Sequence, residues 1–346
     1  MGTMRGRNNR IKYFFIDTVK ALFNAGYGQS KHADFQASYD KDKTRKSDKI
    51  YTFSTAVAYE KVMAKFGDFL SKELGIEYER DFRQLSPDEI FVCIDKYFEA
   101  QKEKGLAQNT LEKHISALNK VLGVINPEIR EYFTSDNRAR WRDGVPQGDN
   151  DRYNRPDVIV ENLHKIDETA EAIAQLQRLT GARIGDVKKI QIDEEHQRVF
   201  IPRSKGGRDR SVYFDRFQEE FEKVKEYKEV LDRVLEEKNF SEIREEEYYQ
   251  ALKKACRKAG EPYRGAHPFR YEFAQDRYDK IKEWSPQEQE QYYLRILEER
   301  GKSQKDIDDA MKRVKEKDAV AEAIISEELG HSRLDISRHY LKIRAR

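Results

Sequence analysis

Apolar residues recur at helical spacing along most of this chain, but between Ile190 and Phe214 apolar and polar residues alternate instead. That alternation is typical of half-buried β-strands. It divides into three short predicted strands, at residues 190–192, 198–201 and 210–214. Between the last two, Gly206-Gly207 is a good signal for a hairpin turn. Since three short strands make one small sheet, the sequence predicts a mainly α-helical chain with a small antiparallel β-sheet, an α+β fold.

The length of the chain, 346 residues, exceeds the usual size of a single core and favours two domains. The stretch over 135–157 is rich in Asn, Asp, Gly, Pro and Arg and has little apolar periodicity, as linkers do. We therefore expect a helical domain over 49–134, a linker over 135–157 and a second domain over 158–346. A basic N-terminal arm and a first helix are expected over 1–48, with a loop after Gly26.

Four helices are predicted in the 49–134 domain from their capping residues and apolar spacing. Ser54 can cap the first, Asn109 or Thr110 opens the third, and Pro127 starts a short last one. The second begins at SPDE, residues 86–89, where the serine and the glutamate have the spacing of a capping box. The pattern is that of a small helical domain.

Charge is nearly balanced over the whole chain, with a formal net charge of +2, yet basic residues cluster locally. The N-terminal arm, residues 41–49, the hairpin around Lys205 and residues 333–346 are rich in Lys and Arg. Local basic surfaces, rather than global charge, decide phosphate binding. The chain has two cysteines and no apolar run near the ~20 residues that a membrane helix needs. These features argue against a disulfide framework and favour a cytoplasmic protein.

A candidate nucleophile lies in LGHSRLDISRHYLK, residues 329–342, where Tyr340 follows His331 by nine positions. Tyrosine is a poor nucleophile because its phenol ionises near pH ~10. It becomes effective against a phosphodiester when cations stabilise the charge that develops during attack. Three other stretches, TGARIGD, SKGGRDR and GAHPFRYEFA, supply groups for this purpose: Arg183, Lys205, His267 and Arg270.

In chain order, these residues read Arg, Lys, His-x-x-Arg, Gly-His and then Tyr, which resembles the tyrosine recombinases, the phage-integrase family. The resemblance is specific over the C-terminal half of the chain and only general before it. It implies a helical core-binding domain followed by a tyrosine-recombinase catalytic domain, the two closing around DNA as a C-shaped clamp. It also implies a site-specific recombinase or integrase, encoded by a mobile genetic element, that cleaves and rejoins DNA through a 3′-phosphotyrosyl intermediate. This chemistry needs no metal, ATP or other cofactor.

The resemblance assigns phosphate chemistry to four of the matching residues. Tyr340 would attack the scissile phosphate and release a 5′-hydroxyl. Arg183 and Arg270 would hold the non-bridging oxygens, since guanidinium groups match phosphate with paired hydrogen bonds. His331 would donate a further hydrogen bond to the phosphate.

Proton transfer falls to two further residues in this family, and a third supports the arginines. His267 would exchange the proton of the tyrosine hydroxyl. Lys205 would protonate the leaving 5′-oxygen, a role suited to an ammonium that can shift its pKa and move with its hairpin. Asp186 stands where the family carries an acidic residue that positions its neighbours.

The resemblance also indicates DNA contacts outside the catalytic set. The third helix of the core-binding domain usually lies against DNA in this family, the linker can follow the DNA backbone, and the hairpin around Lys205 is basic. The candidate contacts are Lys113, His114, Lys120, Arg138, Arg140, Arg142, Arg203 and Arg208. The implied partners are double-stranded DNA with inverted-repeat core sites, further copies of the chain in dimers and tetramers on DNA, and accessory DNA-bending or directionality factors. A nucleoid-associated location without a membrane partner is expected.

The spacing departs from the family between Arg270 and His331, which lie much further apart here than is usual. The excess, about 281–317, is highly charged but keeps apolar residues at helical spacing, which predicts a helical hairpin on the rim of the catalytic domain. Six residues follow Tyr340 in this sequence, too few for the helix that many recombinases dock into a neighbouring subunit. We therefore expect the insertion to leave part of its apolar stripe uncovered and to carry contacts between subunits.

Two alternative functions stay open at this point. A chromosome-dimer resolvase of the same family would use the same residues, although such chains are usually more compact. A non-catalytic DNA-binding regulator could keep the fold and lose the reaction, but such a descendant should have lost at least one of the six matching residues. Covalent attachment to DNA distinguishes the enzymes from the regulator.

Overall fold

The structure, a computed structural model of the chain, describes residues 10–42, 47–146, 155–204, 207, 209–331, 334 and 340–341. The chain divides into two compact units, residues 1–150 and 151–346, and each has its own hydrophobic core. Within the described residues, no helix combines the length and the apolar character needed to cross a membrane.

The N-terminal unit is helical. Its core is aromatic where α1 packs along α3: Phe15 and Phe66 stack with 5.6 Å between ring centroids, and Phe66 meets Tyr97 edge-on at 5.1 Å. The elements are α1 (Ile11–Gly26), α2 (Lys31–Asp42), α3 (Phe53–Glu73), α4 (Glu79–Arg83), α5 (Pro87–Glu103), α6 (Gln108–Ile125), a 3-10 helix (Pro127–Tyr132) and α7 (Ser135–Arg142).

The helix starts follow capping chemistry. The Ser86 hydroxyl accepts from the Glu89 backbone N–H at 3.3 Å, and the Glu89 carboxylate accepts from the Ser86 N–H at 2.7 Å, so the predicted capping box is present. Helix α3 is capped two residues earlier than expected, because the hydroxyl of Thr52 accepts from the Thr55 N–H at 3.2 Å.

The predicted first helix is present as α1, and its Phe15 and Val19 are fully buried in the core of this unit. Two other segments differ from the expected loop and linker. Residues 31–42, expected as a loop, form α2. Residues 135–142, expected to begin the linker, form α7. Trp141 anchors α7 to the unit, because its ring stacks on Phe98 at 4.5 Å and its Nε1–H donates to Asp95 at 2.8 Å.

The second unit places one small sheet among helices. The sheet has the order β1-β2-β3 and is antiparallel throughout, with Ile192 opposite Val199 and Val199 opposite Val212. The expected mainly helical fold with one small antiparallel sheet is therefore confirmed. The elements are α8 (Pro156–His164), α9 (Glu168–Thr180), α10 (Ile184–Val187), β1 (Gln191–Asp193), β2 (Arg198–Ile201), β3 (Arg210–Tyr213), α11 (Gln218–Glu237), α12 (Glu245–Ala259), α13 (His267–Lys282), α14 (Pro286–Glu299), α15 (Gln304–Glu316) and α16 (Val320–Glu328).

The insertion predicted over 281–317 forms the helices α14 and α15, and its apolar face is buried. Tyr292, Ile296, Leu297, Ile307 and Val314 are each at most 5% exposed and belong to the core of the second unit. Helix α14 packs on α16. The expectation of an uncovered apolar stripe was wrong for these residues, because their own unit covers them, and the expected contacts between subunits stay a prediction.

Candidate active site

The C-terminal end of α9 turns sharply and brings Arg183 to the start of α10. Gly181 has φ +61°, a left-handed conformation that favours glycine. The position is also too crowded for a side chain, because a Cβ atom there would lie 2.5 Å from Cδ1 of Phe273. The Thr180 hydroxyl holds the turn by accepting from the Ala182 N–H at 3.2 Å. Arg183 is thereby fixed as the N-cap residue of α10.

Two buried arginines converge on the Gly181 carbonyl. Arg210, the first residue of β3, donates to that oxygen at 3.0 Å and to the Thr180 carbonyl at 2.9 Å. Arg270, in the first turn of α13, donates to the same Gly181 oxygen and, at 2.5 Å, to the Leu329 carbonyl. The Nε atoms of both arginines are buried and have no hydrogen-bond partner within the described part of the chain. Buried donors are normally satisfied, and an oxyanion is a partner that guanidinium groups favour.

His331 meets two of these arginines. Its Nε2 lies 3.2 Å from Nη2 of Arg270 and 3.5 Å from Nη2 of Arg183. The three side chains come from α13, the turn before α10 and the segment after α16. Together they bring three nitrogen-bearing side chains to one place, where the two guanidinium groups are suited to an anion.

The end of α16 fixes the place of His331. The His331 N–H donates to the Ser326 carbonyl and the Gly330 N–H donates to the Glu327 carbonyl, each at 2.8 Å. This pair of bonds is a Schellman motif, and Gly330 has the positive φ of +72° that the motif needs. The Gly-His pair noted in the sequence is therefore a helix C-cap that presents the imidazole.

The ring of Tyr340 lies against this group. Its centroid is 5.1 Å from that of His331 and 4.5 Å from that of Tyr271, on which it stacks. The guanidinium carbon of Arg270 lies 5.5 Å from the centroid of the Tyr340 ring. The candidate nucleophile is thus a neighbour of two candidate phosphate ligands.

Asp186 connects the Arg183 turn to the start of the β2–β3 hairpin. Its buried carboxylate accepts from the Ser204 hydroxyl at 2.7 Å and lies 3.9 Å from Nη1 of Arg183. Ser204 in turn accepts from Nη1 of Arg183 at 3.4 Å. Lys189 lies 3.3 Å from the other carboxylate oxygen. The Asp186 carboxylate is therefore surrounded by three donors, namely the Ser204 hydroxyl, the Lys189 ammonium and Nη1 of Arg183.

Burial and mutual repulsion act on the arginines. Burial, followed by repulsion from Arg183, lowers the pKa of Arg270 to about 10, while the adjacent Tyr340 acts in the opposite direction. Burial, followed by repulsion from Arg270 and Arg183, also lowers the pKa of Arg210 well below its usual value. Guanidinium groups nevertheless keep their proton in proteins, so we treat both buried side chains as cations.

Positive charge at this site exceeds negative charge. Glu328 is fully buried nearby, but its carboxylate already pairs with Arg277 at 2.9 Å. Asp186 is then the carboxylate that faces the cluster of Arg183, Arg210 and Arg270. A buried excess of positive charge favours a bound anion. Among the described residues, no group of three or more His, Cys, Asp or Glu could hold a metal ion.

The structure brings four of the six predicted catalytic residues together, namely Arg183, Arg270, His331 and Tyr340. His267 is the first residue of α13 and is exposed, one helical turn before Arg270. Lys205 lies outside the described residues.

Arg210, Ser204 and Tyr271 also lie at this site but were not predicted from the sequence. A signal existed for Arg210: it shares a strand face with Val212, and an arginine on the apolar face of a strand needs a buried partner. Ser204 and Tyr271 are next to predicted residues, and their patterns carry no signal of their own.

A basic face lies on the N-terminal unit. Lys113 is exposed on α6, and Lys120 lies two turns further along the same side, where it lines a pocket with Arg130 and Arg138. Burial lowers the pKa of Lys120, whose ammonium donates to the Ser47 carbonyl. Lys113 is thus exposed, whereas Lys120 and Arg138 line a pocket in which they donate to the backbone carbonyls of Ser47 and Phe133.

His114 faces the core instead, contrary to the expected phosphate contact. It is 2% exposed, and its Nδ1 lies 2.9 Å from the hydroxyl of Tyr97. Burial, with a smaller contribution from Lys65, lowers the pKa of His114 to about 4. A buried, neutral imidazole has neither the access nor the charge for a phosphate contact.

The other candidate DNA contacts are placed differently from one another. Arg140 and Arg142 lie on α7, where they pair with Asp95 at 2.7 Å and with Glu112 at 2.6 Å. Arg203 is exposed at the end of β2 with φ +44°. Arg208 lies outside the described residues.

Comparison of the chain with known protein families found no family that matches it, and comparison with curated proteins found no match either.

Proposed function

We propose that this chain is a tyrosine recombinase, a site-specific enzyme that cleaves and rejoins DNA through a 3′-phosphotyrosyl intermediate. The convergence of Arg183, Arg270, His331 and Tyr340 supports this proposal most directly. Arg183 and His331 are 148 positions apart in the sequence, yet their nitrogen atoms lie within 3.5 Å. Two guanidinium groups and an imidazole beside a tyrosine are the groups that attack on a phosphodiester requires.

In the proposed reaction, the hydroxyl oxygen of Tyr340 forms a bond to phosphorus as the bond to the 5′-oxygen breaks. Arg183 and Arg270 stabilise the negative charge on the non-bridging oxygens, and His331 donates a further hydrogen bond. The phosphotyrosyl bond conserves the energy of the phosphodiester. A DNA 5′-hydroxyl can therefore attack it and rejoin a strand without ATP.

The two arginines would take different parts in holding the phosphate. Arg270 donates one N–H of each Nη group to the carbonyls of Gly181 and Leu329, which holds its guanidinium in place, and its Nε–H has no partner among the described residues. Arg183 is held more loosely, at 3.4 Å from Ser204, and can turn both Nη atoms to the phosphate. Arg270 thus supplies a fixed charge and Arg183 an adaptable one.

Proton transfer would involve the two remaining residues of the set. His267 accepts the proton of the tyrosine hydroxyl during attack, and Lys205 donates one to the leaving 5′-oxygen. Both protons return when the strand is rejoined, so the cycle is balanced.

The proposed substrate is double-stranded DNA with inverted-repeat core sites, which the protein would enclose as a clamp. The basic face with Lys113, Lys120 and Arg138 would contact the phosphates of the duplex. Dimers and tetramers would assemble on paired sites. Integration of a mobile element is the role we favour, and chromosome-dimer resolution would use the same chemistry.

Trapping of a covalent complex tests the proposal. The substrates are labelled duplexes with a randomised core and a nick near the cleavage position. After the tyrosine attacks, the short fragment between the cleavage site and the nick dissociates, so its 5′-hydroxyl cannot rejoin the strand. We expect a covalent complex that forms in excess EDTA and withstands SDS. Digestion with protease should release its DNA. Cleavage that requires magnesium and leaves no protein on the DNA would instead indicate a metal-dependent nuclease.

A further inference from the structure

The helix α14, which belongs to the 281–317 insertion, contacts the last turn of α16 at two points. At the first, the Tyr292 hydroxyl lies 2.9 Å from Oε1 of Glu328 and 3.1 Å from the Tyr213 carbonyl. Arg277 donates to that hydroxyl at 3.0 Å and pairs with Glu328 at 2.9 Å. Burial, followed by the Glu328 carboxylate, raises the pKa of Tyr292 well above its usual value, so the hydroxyl stays protonated and can donate.

The second contact comes from the end of α14. Arg300, the C-cap residue of that helix, donates from Nη2 to the Glu327 carbonyl at 2.7 Å, and its Nη1 pairs with the Glu327 carboxylate. The same Glu327 carbonyl accepts from the Gly330 N–H in the Schellman motif. A cation at the carboxyl end of a helix is also favoured by the helix dipole.

These contacts fall on the turn that sets the candidate active site. Glu327 and Glu328 directly precede Leu329, whose carbonyl accepts from Arg270, and His331 follows two positions later. Arg277 lies two turns after Arg270 on α13, so the Arg277–Glu328 pair joins the helix of the arginine to the helix that presents the imidazole. The pair is fully buried, and a buried ion pair is stable only when its remaining hydrogen-bonding groups are satisfied.

We propose that Tyr292 and Arg300 are positioning residues for His331, and that the 281–317 insertion braces the active site of its own chain. Tyr292 satisfies the Arg277–Glu328 pair, and Arg300 holds the cap from which His331 projects. The effect on catalysis rests on the proposed function above, whereas the bracing itself does not. The brace accounts for an insertion whose apolar face is buried in its own unit rather than left for a partner.

The test compares Tyr292→Phe with Tyr293→Phe in the full chain. Both tyrosines are 5% exposed and adjacent on α14, and the Tyr293 hydroxyl lies near Glu327 and Arg300 but outside the Arg277–Glu328 network, so the comparison isolates the hydrogen bonds of Tyr292. The first measurement is amide hydrogen exchange at Gly330 and His331, with the core amides of α9 as the internal reference. We expect about tenfold faster exchange at the cap in Tyr292→Phe alone.

The second measurement is the rate of covalent complex formation beside DNA affinity. Tyr292→Phe should lower the rate about tenfold at unchanged affinity, and Tyr293→Phe should leave both near wild type. Arg300→Gln provides a second variant if Tyr292→Phe folds poorly, and it should give the same pattern.

Equal cap exchange in the two tyrosine variants and in Arg300→Gln would overturn the proposal. Faster amide exchange at the cap in Tyr292→Phe would support the brace even if the wild-type protein forms no covalent complex with DNA. The missing complex would then count against the recombinase function. The exchange measurement therefore separates failure of the brace from failure of the proposed function.

Discussion

Arg210 and Arg270 donate to one acceptor, the carbonyl oxygen of Gly181. That oxygen lies at the C-terminal end of α9, where helix carbonyls lack intrahelical donors and carry partial negative charge. Two buried cations are thus held by backbone dipoles rather than by carboxylates. Their positive charge remains available to a ligand, which is what an anion site requires.

Replacement of Gly181 by alanine should disrupt this arrangement. Both the positive φ and the close approach of Phe273 oppose a side chain, so we expect Gly181→Ala to lower the free energy of unfolding by about 3 kcal/mol. Gly260→Ala is the control, since Gly260 has φ +68° but no atom within 4 Å of its added Cβ. It should cost about 1 kcal/mol. Equal losses in denaturant titrations would show that the Phe273 contact is unimportant.

Arg183 should matter for the reaction more than for the fold, because its side chain is only partly buried. Loss of one cationic contact to a transition-state oxygen typically costs about 100- to 1000-fold in rate, which we expect for Arg183→Gln. Arg183→Lys keeps the charge but loses the paired geometry and should fall between Arg183→Gln and wild type. Single-turnover cleavage of the nicked duplex measures the rates. Wild-type rates in Arg183→Gln would remove this residue from the site.

The N-terminal unit should lose stability as the pH falls from about 6.5 to about 4. An exposed histidine in the unfolded chain takes up a proton near pH 6.5, whereas burial holds the pKa of His114 at about 4 in the folded unit. The unfolded state therefore binds more protons between these values, and the free energy of unfolding decreases on acidification, by an amount on the order of 2 kcal/mol.

Trp141 fluorescence reports on this unit once Trp284 is replaced by phenylalanine, since the chain has two tryptophans. His114→Gln cannot titrate in this range and should show a smaller decrease in stability. If the free energy of unfolding decreased equally in wild type and His114→Gln, titratable groups other than His114 would cause the loss of stability.

The buried face of α14 should contribute to the stability of its own unit. Ile296 is 1% exposed, and its truncation in Ile296→Ala should lower the free energy of unfolding by about 2–5 kcal/mol. Glu298→Ala, at an exposed position of the same helix, should change it by less than about 0.5 kcal/mol. Two measurements distinguish packing of α14 in its own unit from assembly of subunits. The first is thermal unfolding of each variant, and the second is its molecular mass by light scattering at several protein concentrations. A change in mass without a change in unfolding would restore the subunit-contact hypothesis.

Local patterns predicted the fold well where local chemistry dominates. All three strands lie within one residue of their predicted bounds, because the alternation of apolar and polar residues acts over a few residues. Ser86 and Glu89 form their capping box for the same reason. Gly330 and His331 were noted as a pair, and the structure explains the pair as a helix cap.

Long-range packing decided the features that the sequence analysis missed. α7 looked like a linker because its one core residue, Trp141, is surrounded in sequence by polar residues. His114 looked like part of a basic face, but the α6 surface that carries it turns towards Tyr97. The partner of Arg210 is a backbone carbonyl about thirty positions away, and no local pattern records it.

Identification of the residue that carries DNA after cleavage tests the proposed function most directly, since Tyr340 is the proposed nucleophile. Covalent complexes trapped on the nicked duplex, digested with protease and nuclease, yield a nucleotide-linked peptide for mass spectrometry. The expected result is a phosphotyrosyl group at Tyr340, absent from Tyr340→Phe at near-normal DNA affinity and present in Tyr271→Phe. A phosphotyrosyl adduct that persists in Tyr340→Phe, on Tyr271 or Tyr278, would contradict the account.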